Sequence, residues 1–260
     1  MTRPAPLLFI TGASSGIGQA VALEWARRGG RLALVARRGD EMRAWVAAQG
    51  WSADRAAVYV ADARDVDATT AAGRACIAAQ GLPDVVIANA GISVGVDMGD
   101  AADLQVLRAI VETNNIGLAA TFQPFIGPMC QRRSGRLVGI ASVAGIRGLP
   151  GHAAYSLSKA GVISFCESLR IECRPFGVRV VTIAPGYIDT RLTRGNSYSM
   201  SFLMPADKFA RQALDAIADG VGFRVIPWQM GMLARLLRIL PNWIYDRAVA
   251  GRPRKKRQSQ

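Results

Sequence analysis

Short, mostly apolar runs punctuate the chain at residues 7–10, 32–36, 58–61, 85–88, 137–141, 178–184 and 223–226. Within each run the apolar residues follow one another instead of alternating with polar ones, as in strands buried on both faces. Between the runs the apolar spacing changes to three and four residues, over 40–49, 65–79, 100–125, 155–173 and 206–219. A further helix opens with Ile17, Ala20, Val21, Leu23 and Trp25. Strands alternating with helices predict an α/β fold, a parallel sheet covered on both sides. No linker or internal repeat divides the pattern, so one domain is expected.

Ligands of such sheets sit beyond the carboxyl ends of the strands. The residues there are Thr11, Gly12, Asp62, Asn89, Gly91, Ser142, Pro185 and Gly186. The first strand runs into Thr11-Gly12-Ala13-Ser14-Ser15-Gly16-Ile17-Gly18 and then a helix. Glycines let a backbone approach a pyrophosphate, and the first N–H groups of the helix face the anion. The second strand ends about twenty residues later, where an NAD site wants an acid to read the ribose. Arg37 and Arg38 stand there instead. Two cationic forks suit a 2'-phosphate, so NADP(H) is favoured over NAD(H).

The stretch from Ser142 to Lys159 carries the second chemical signal. Positions 155, 159, 162, 166, 169 and 173 share one helix face, and Val162, Cys166, Leu169 and Cys173 mark that face as buried. Tyr155 and Lys159 are therefore neighbours, and a buried lysine without a carboxylate needs compensation. Packing with a snorkelling lysine is the plain reading. The chemical reading is an ammonium about 5 to 6 Å from a phenol, which would draw the phenol from about 10 toward about 8.

Seven motifs stand in order: TGxxxGxG at Gly12, Gly16 and Gly18; Asp62; Asn89-Ala90-Gly91; Asn114 to Gly117; Ser142; Tyr155 with Lys159; and Pro185-Gly186 followed by Thr190. From about residue 5 to 227 the chain resembles the classical branch of the short-chain dehydrogenase/reductase family. The resemblance implies a doubly wound, Rossmann-type domain over residues 1–227 with a seven-stranded parallel sheet. It implies an oxidoreductase interconverting a carbonyl and an alcohol by hydride transfer. Tyr155 would be the general acid/base, Ser142 would hydrogen-bond the carbonyl oxygen, and Lys159 would hold the ribose and lower the phenol pKa. Asn114 would anchor a water path to Lys159, with Asn115 as its rival. Ser14, Ser15 and Ile17 fall in the phosphate loop. Asp62 would contact the adenine, Asn89, Ala90 and Gly91 would line the cofactor cleft, and Ile188 and Thr190 would contact the nicotinamide carboxamide. No metal is implied. Ala88 replaces the first asparagine of the family's NNAG. A hydrolase built on Ser142 and His152 lacks the GxSxG turn. A non-catalytic NADP(H) sensor or membrane-associated scaffold is the alternative from another class.

Composition adds three points. Cys76, Cys130, Cys166 and Cys173 show no CxxC spacing and read as core thiols of a reducing compartment. With no room for a signal peptide before the first strand, a cytoplasmic protein is expected. The net charge is +13, yet five of the cations lie in the last nine residues, and no nucleic-acid motif accompanies them. Residues 228–260 form an extension beyond the family core. Met230, Leu233, Leu236, Leu237 and Leu240 give a helix with one apolar face, followed by the basic stretch 252–257. Three roles fit it: peripheral contact with the inner face of an anionic membrane, a subunit contact, or a cover for the substrate mouth. Residues 187–205 suggest a substrate lid whose Met200, Phe202, Leu203 and Met204 favour an apolar carbonyl or alcohol substrate. A homodimer or homotetramer through the helices near 100–125 and 155–173 is expected.

Overall fold

The computed structural model describes residues 4–194, 200–251, 253–255 and 257. Seven strands form the central sheet: β1 (Leu7–Thr11), β2 (Arg31–Ala36), β3 (Ala56–Val60), β4 (Val85–Ala88), β5 (Gly135–Ile140), β6 (Val178–Pro185) and β7 (Phe223–Ile226). They lie in the order β3-β2-β1-β4-β5-β6-β7, and every neighbouring pair is parallel. The order reverses between β1 and β4, which opens a crevice at the carboxyl ends of those strands.

The helices in chain order are α1 (Gly16–Arg27), α2 (Gly39–Ala48), α3 (Val66–Gln80), α4 (Asp103–Val111), α5 (Gly117–Arg132), α6 (Ala153–Cys173), α7 (Ala206–Asp219), α8 (Trp228–Ile239) and α9 (Asn242–Val249). Successive strand residues point to opposite sides of the sheet. Leu8, Ile10, Leu32, Leu34 and Ile87 bury themselves with Val21 and Ala22 of α1, Met42 of α2 and Phe209 and Leu214 of α7. Leu7, Phe9, Val35 and Val86 meet Cys76 of α3, Phe122 and Phe125 of α5, and Val162 and Cys166 of α6. The buried stripe of α6 is the one the sequence predicts. Phe9 and Phe125 pack as a tilted pair with ring centroids 4.8 Å apart, and truncating such a buried ring costs about 3 to 5 kcal/mol.

The apolar pattern over 100–125 predicts one helix, but a π-helical turn, Glu112–Ile116, divides it into α4 and α5. The wider turn shifts the helix register. Its buried Asn114 accepts from the Ile92 N–H at 2.9 Å and donates to the Ile92 carbonyl at 3.0 Å and Ser158 Oγ at 2.9 Å.

The extension folds back on the domain. Met230, Gly231 and Ala234 make the buried side of α8, whereas Leu233 and Leu236 of the predicted apolar face are exposed, as are Trp228, Met232, Ile239 and Trp243. Thus α8 is apolar on more than one side, and Met230 packs inward against Gly186 while Gly231 lies against Val225. Tyr245 of α9 donates to the Gly148 carbonyl, and Arg147 lies 4.2 Å from the Tyr245 ring centroid. Of the basic stretch, Arg252 and Lys256 lie outside the described residues. The described cations are turned to the protein: Arg254 pairs with Asp97 at 3.2 Å, and Arg257 pairs with Asp103 at 2.9 Å and with Asp100. Among the three roles open to the extension, these pairings draw the described part of the tail onto the protein's own acids.

Candidate active site

A cleft of about 400 Å³ runs along the carboxyl edge of the sheet, from Arg37 and Asp62 at one end to Tyr155, His152 and Lys255 at the other. Gly12, Ser14, Ser15, Gly16, Ile17, Arg37, Arg38, Asp62, Asn89, Ala90, Gly91, Ser142, Tyr155, Lys159, Pro185, Gly186, Ile188 and Thr190 all line it. Asn114 and Gly18 do not; both lie behind its wall.

The nucleotide end is held open by backbone geometry. Gly12 and Gly16 adopt φ of +67° and +56°, where a side chain is strained. A Cβ on Gly18 would stand 2.2 Å from the Gly12 carbonyl oxygen. Asn89 ties β4 to this loop by donating from Nδ2 to the carbonyls of Thr11 and Gly12 at 3.0 and 3.1 Å. The N-terminus of α1 therefore opens on a concavity that a Cβ would fill. Such a cradle, with Arg37, Arg38 and Arg64 along the same cleft, fits an anionic dinucleotide.

The charges at this end are partly engaged. Arg37 lies 3.6 Å from Asp62, Arg64 lies 3.0 Å from it, and Arg38 pairs with Glu41 at 2.6 Å. Partial burial raises the Asp62 pKa, but hydrogen bonds from Arg64 and the charges of Arg64 and Arg37 outweigh it, so the carboxyl sits below its ordinary value.

At the other end, α6 begins beside the 3-10 turn Val143–Gly145, whose N-cap is Ser142. Ser142 Oγ accepts from the Ala144 N–H at 3.2 Å, which leaves the hydroxyl proton to donate elsewhere. Lys159, buried one turn after Tyr155, donates from Nζ to the Ile140 carbonyl at 2.8 Å. Its Nζ is 5.8 Å from the Tyr155 ring centroid. Burial pulls the Lys159 pKa down to about 8. Burial also raises the Tyr155 phenol above its ordinary value, against the opposing contact with Ser142. Desolvation acts on both groups and the ammonium is anchored on the Ile140 carbonyl, and both features oppose the lowering of the phenol that the spacing predicts.

Sequence reasoning missed Lys255, which enters the cleft from the far end of the chain, and Ser93, which it contacts. Ile92, Val143, Leu149, Tyr187 and Leu192 add apolar surface to the lining of the cleft. The expected lid is arranged differently. Met204 is buried and pairs with Ile188 in a short two-stranded ribbon; Phe202 and Leu203 are exposed, and with Met200 they do not line the cleft. Residues 195–199 of that stretch lie outside the described residues.

Residues 7–200 match the family model described as short chain dehydrogenase. An uncharacterized oxidoreductase of Myxococcus xanthus is 39% identical, over 92% of this chain and 94% of its own. An acetoacetyl-CoA reductase of Acinetobacter is 33% identical, over 70% of this chain and 74% of its own. A short chain dehydrogenase of Burkholderia cenocepacia, solved in complex with NADP, matches over 96% of this chain and 99% of its own, with a TM-score of 0.80 at 21% identity. The chain belongs to the short-chain dehydrogenase/reductase family. It is an oxidoreductase that acts on CH–OH or C=O groups with a nicotinamide nucleotide.

Proposed function

We propose an NADP(H)-dependent carbonyl reductase or alcohol dehydrogenase in which Tyr155 is the general acid/base. The observation that carries it is the meeting of Ser142, Tyr155 and Lys159 on one side of a cleft whose other end is a glycine cradle rimmed by arginine. Gly12, Gly16 and the start of α1 would hold the pyrophosphate, and Arg37 with Arg38 a 2'-phosphate. When bound, the reduced nicotinamide supplies a hydride. Ser142, its oxygen already engaged by Ala144, donates its proton toward the substrate oxygen. Tyr155 gives a proton to that oxygen in reduction and takes it back in oxidation. Lys159 holds positive charge beneath the phenol, supporting the phenolate left behind. Asn114 acts from behind the wall by fixing Ile92.

The apolar walls support a substrate with an apolar body. Four free thiols support a reducing, cytoplasmic setting, and among the described residues no helix is long and apolar enough to cross a membrane. Exposed Leu104, Ile116, Leu157 and Phe165 support a homo-oligomer through α4, the π-helical turn after it and α6. A panel of aldehydes and ketones tested for NADPH consumption checks the reaction. Equal affinity for NADH and NADPH would remove the arginine reading.

One further reading concerns α8 and α9. Trp228, Met232, Leu236, Ile239 and Trp243 are exposed on them beside exposed Arg235 and Arg238. Tryptophan and arginine around an apolar face suit an anionic membrane surface. Co-sedimentation with phosphatidylglycerol vesicles at low salt, lost in the Trp228→Ser/Trp243→Ser variant, is the expected result. Absence of co-sedimentation, or concentration-dependent dimerisation lost in the same variant, would refute it.

A further inference from the structure

The tail after α9 returns across the substrate end of the cleft and inserts a lysine into it. Arg254 on Asp97 and Arg257 on Asp100 and Asp103 fasten it on both sides of Lys255. A backbone bridge joins Arg257 to Gly95. The path also needs Gly151, whose φ is +72°; a Cβ there would meet Arg254 Cβ at 3.0 Å and the Lys255 nitrogen at 3.1 Å. Held this way, Lys255 Nζ donates to Ser93 Oγ at 2.7 Å and lies 5.8 Å from the Tyr155 ring centroid. The two arginines beside it take the acids of this region; among the described residues no carboxylate pairs with Lys255. A hydroxyl satisfies one of its three donors and none of its charge.

We propose that Lys255 is a specificity-determining residue that binds an anionic group of the substrate, so that the preferred carbonyl compound joins an apolar body to a carboxylate within a few bonds of the reacting carbon. This rests on the carbonyl-oxidoreductase reading and narrows its substrate class. The charge inventory of the cleft agrees. Six cationic side chains, Arg37, Arg38, Arg64, Lys159, Arg191 and Lys255, line it against one carboxylate, Asp62, which lies at the nucleotide end. Lys159 is committed to the Ile140 carbonyl and the cofactor side, so Lys255 is the ammonium facing the substrate end. Burial holds its pKa down to about 8, and a desolvated ammonium gains most from an anion that arrives stripped of water. At pH 7 it remains largely protonated.

The test uses three matched pairs: phenylglyoxylate, 4-oxopentanoate and 4-formylbenzoate, each with its methyl ester. Calorimetric titration at pH 7 into the NADP⁺-saturated full-length protein measures binding without hydride transfer. At least one acid should bind about tenfold or more tightly than its ester. That preference should vanish in Lys255→Met and survive largely in Lys255→Arg, with the affinity for NADP⁺ unchanged in both. Gly151→Ala, which displaces the tail without altering Lys255, should weaken the preference. No preference for any acid in the wild type, or an undiminished preference in Lys255→Met, would overturn the proposal. NADPH oxidation by the same compounds is read separately. Lys255-dependent binding without oxidation would support the anion site and sink the carbonyl-reductase reading. Oxidation with the same acid-to-ester ratio in Lys255→Met would do the reverse.

Discussion

The two ends of the cleft are built in different ways. The nucleotide end comes largely from β1, β2, β4 and the turns after them, so its parts follow one another within the first ninety residues or so. Its fit comes from backbone: left-handed glycines, a helix N-terminus, and Asn89 stapling one strand end to another. The substrate end collects short pieces from residues 92–93, 142–155 and 255, and its fit comes from side chains. Constraint on backbone is written into residue type at fixed spacing, whereas a wall assembled from distant segments leaves no spacing to read. The nucleotide end should therefore be brittle to small changes, and the substrate end should yield to exchange of side chains with binding of the nucleotide intact.

The sharpest break of that contrast is Gly18→Ala. One methyl group, 2.2 Å from the Gly12 carbonyl oxygen, forces the loop off the cradle, and NADPH affinity should fall by about a hundredfold or more. Fluorescence titration checks this; unchanged affinity would mean the loop does not hold the phosphates. Ser142→Ala acts at the opposite end. Loss of one oriented donor should lower kcat by about 10²-fold, with NADPH affinity within twofold of the wild type by the same titration. A smaller effect is expected of Arg37→Ala, about tenfold weaker binding of NADPH with NADH unchanged, measured as a ratio of dissociation constants.

The mildest effect is one of pH. Lys159 has a folded pKa of about 8 against an ordinary 10.5, so the unfolded chain holds that proton through the interval between them. Stability from this group is reduced below pH 8 and recovers as pH rises from 8 toward 10.5. Lys159→Met should therefore be more stable than the wild type at pH 7, with the gap closing by about 1 kcal/mol per pH unit above 8. Urea unfolding at pH 7, 8 and 9 measures the gap; a constant gap would show that Lys159 does not titrate in this range.

The sheet was legible because a strand covered on both faces keeps apolar residues in unbroken runs, as at 7–10 and 85–88. Of the twenty site residues that the sequence names, all but Gly18 and Asn114 line the cleft together. Asn114 shows the limit. Its neighbours follow a helical rhythm, and only the π-helical turn Glu112–Ile116 reveals that its amide ties the Ile92 backbone to Ser158 of α6. Met204 is expected beside Met200, Phe202 and Leu203 in an apolar lid, yet it is buried beside Ile188. Lys255 belongs to a basic run that fits a membrane contact, a subunit contact or a cover for the substrate mouth, and nothing in the run singles out one lysine. Its contact with Ser93 spans 162 positions, and local pattern carries no information over that distance. The distribution of acids was the one available hint, since Asp97, Asp100 and Asp103 form a cluster opposite in sign to the tail.

Kinetics of Tyr155→Phe bear most directly on the central claim. The account predicts that NADPH oxidation by any accepted carbonyl compound falls by about 10³-fold or more, while the NADPH dissociation constant stays within about twofold. Oxidation at a rate close to that of the wild type would contradict it.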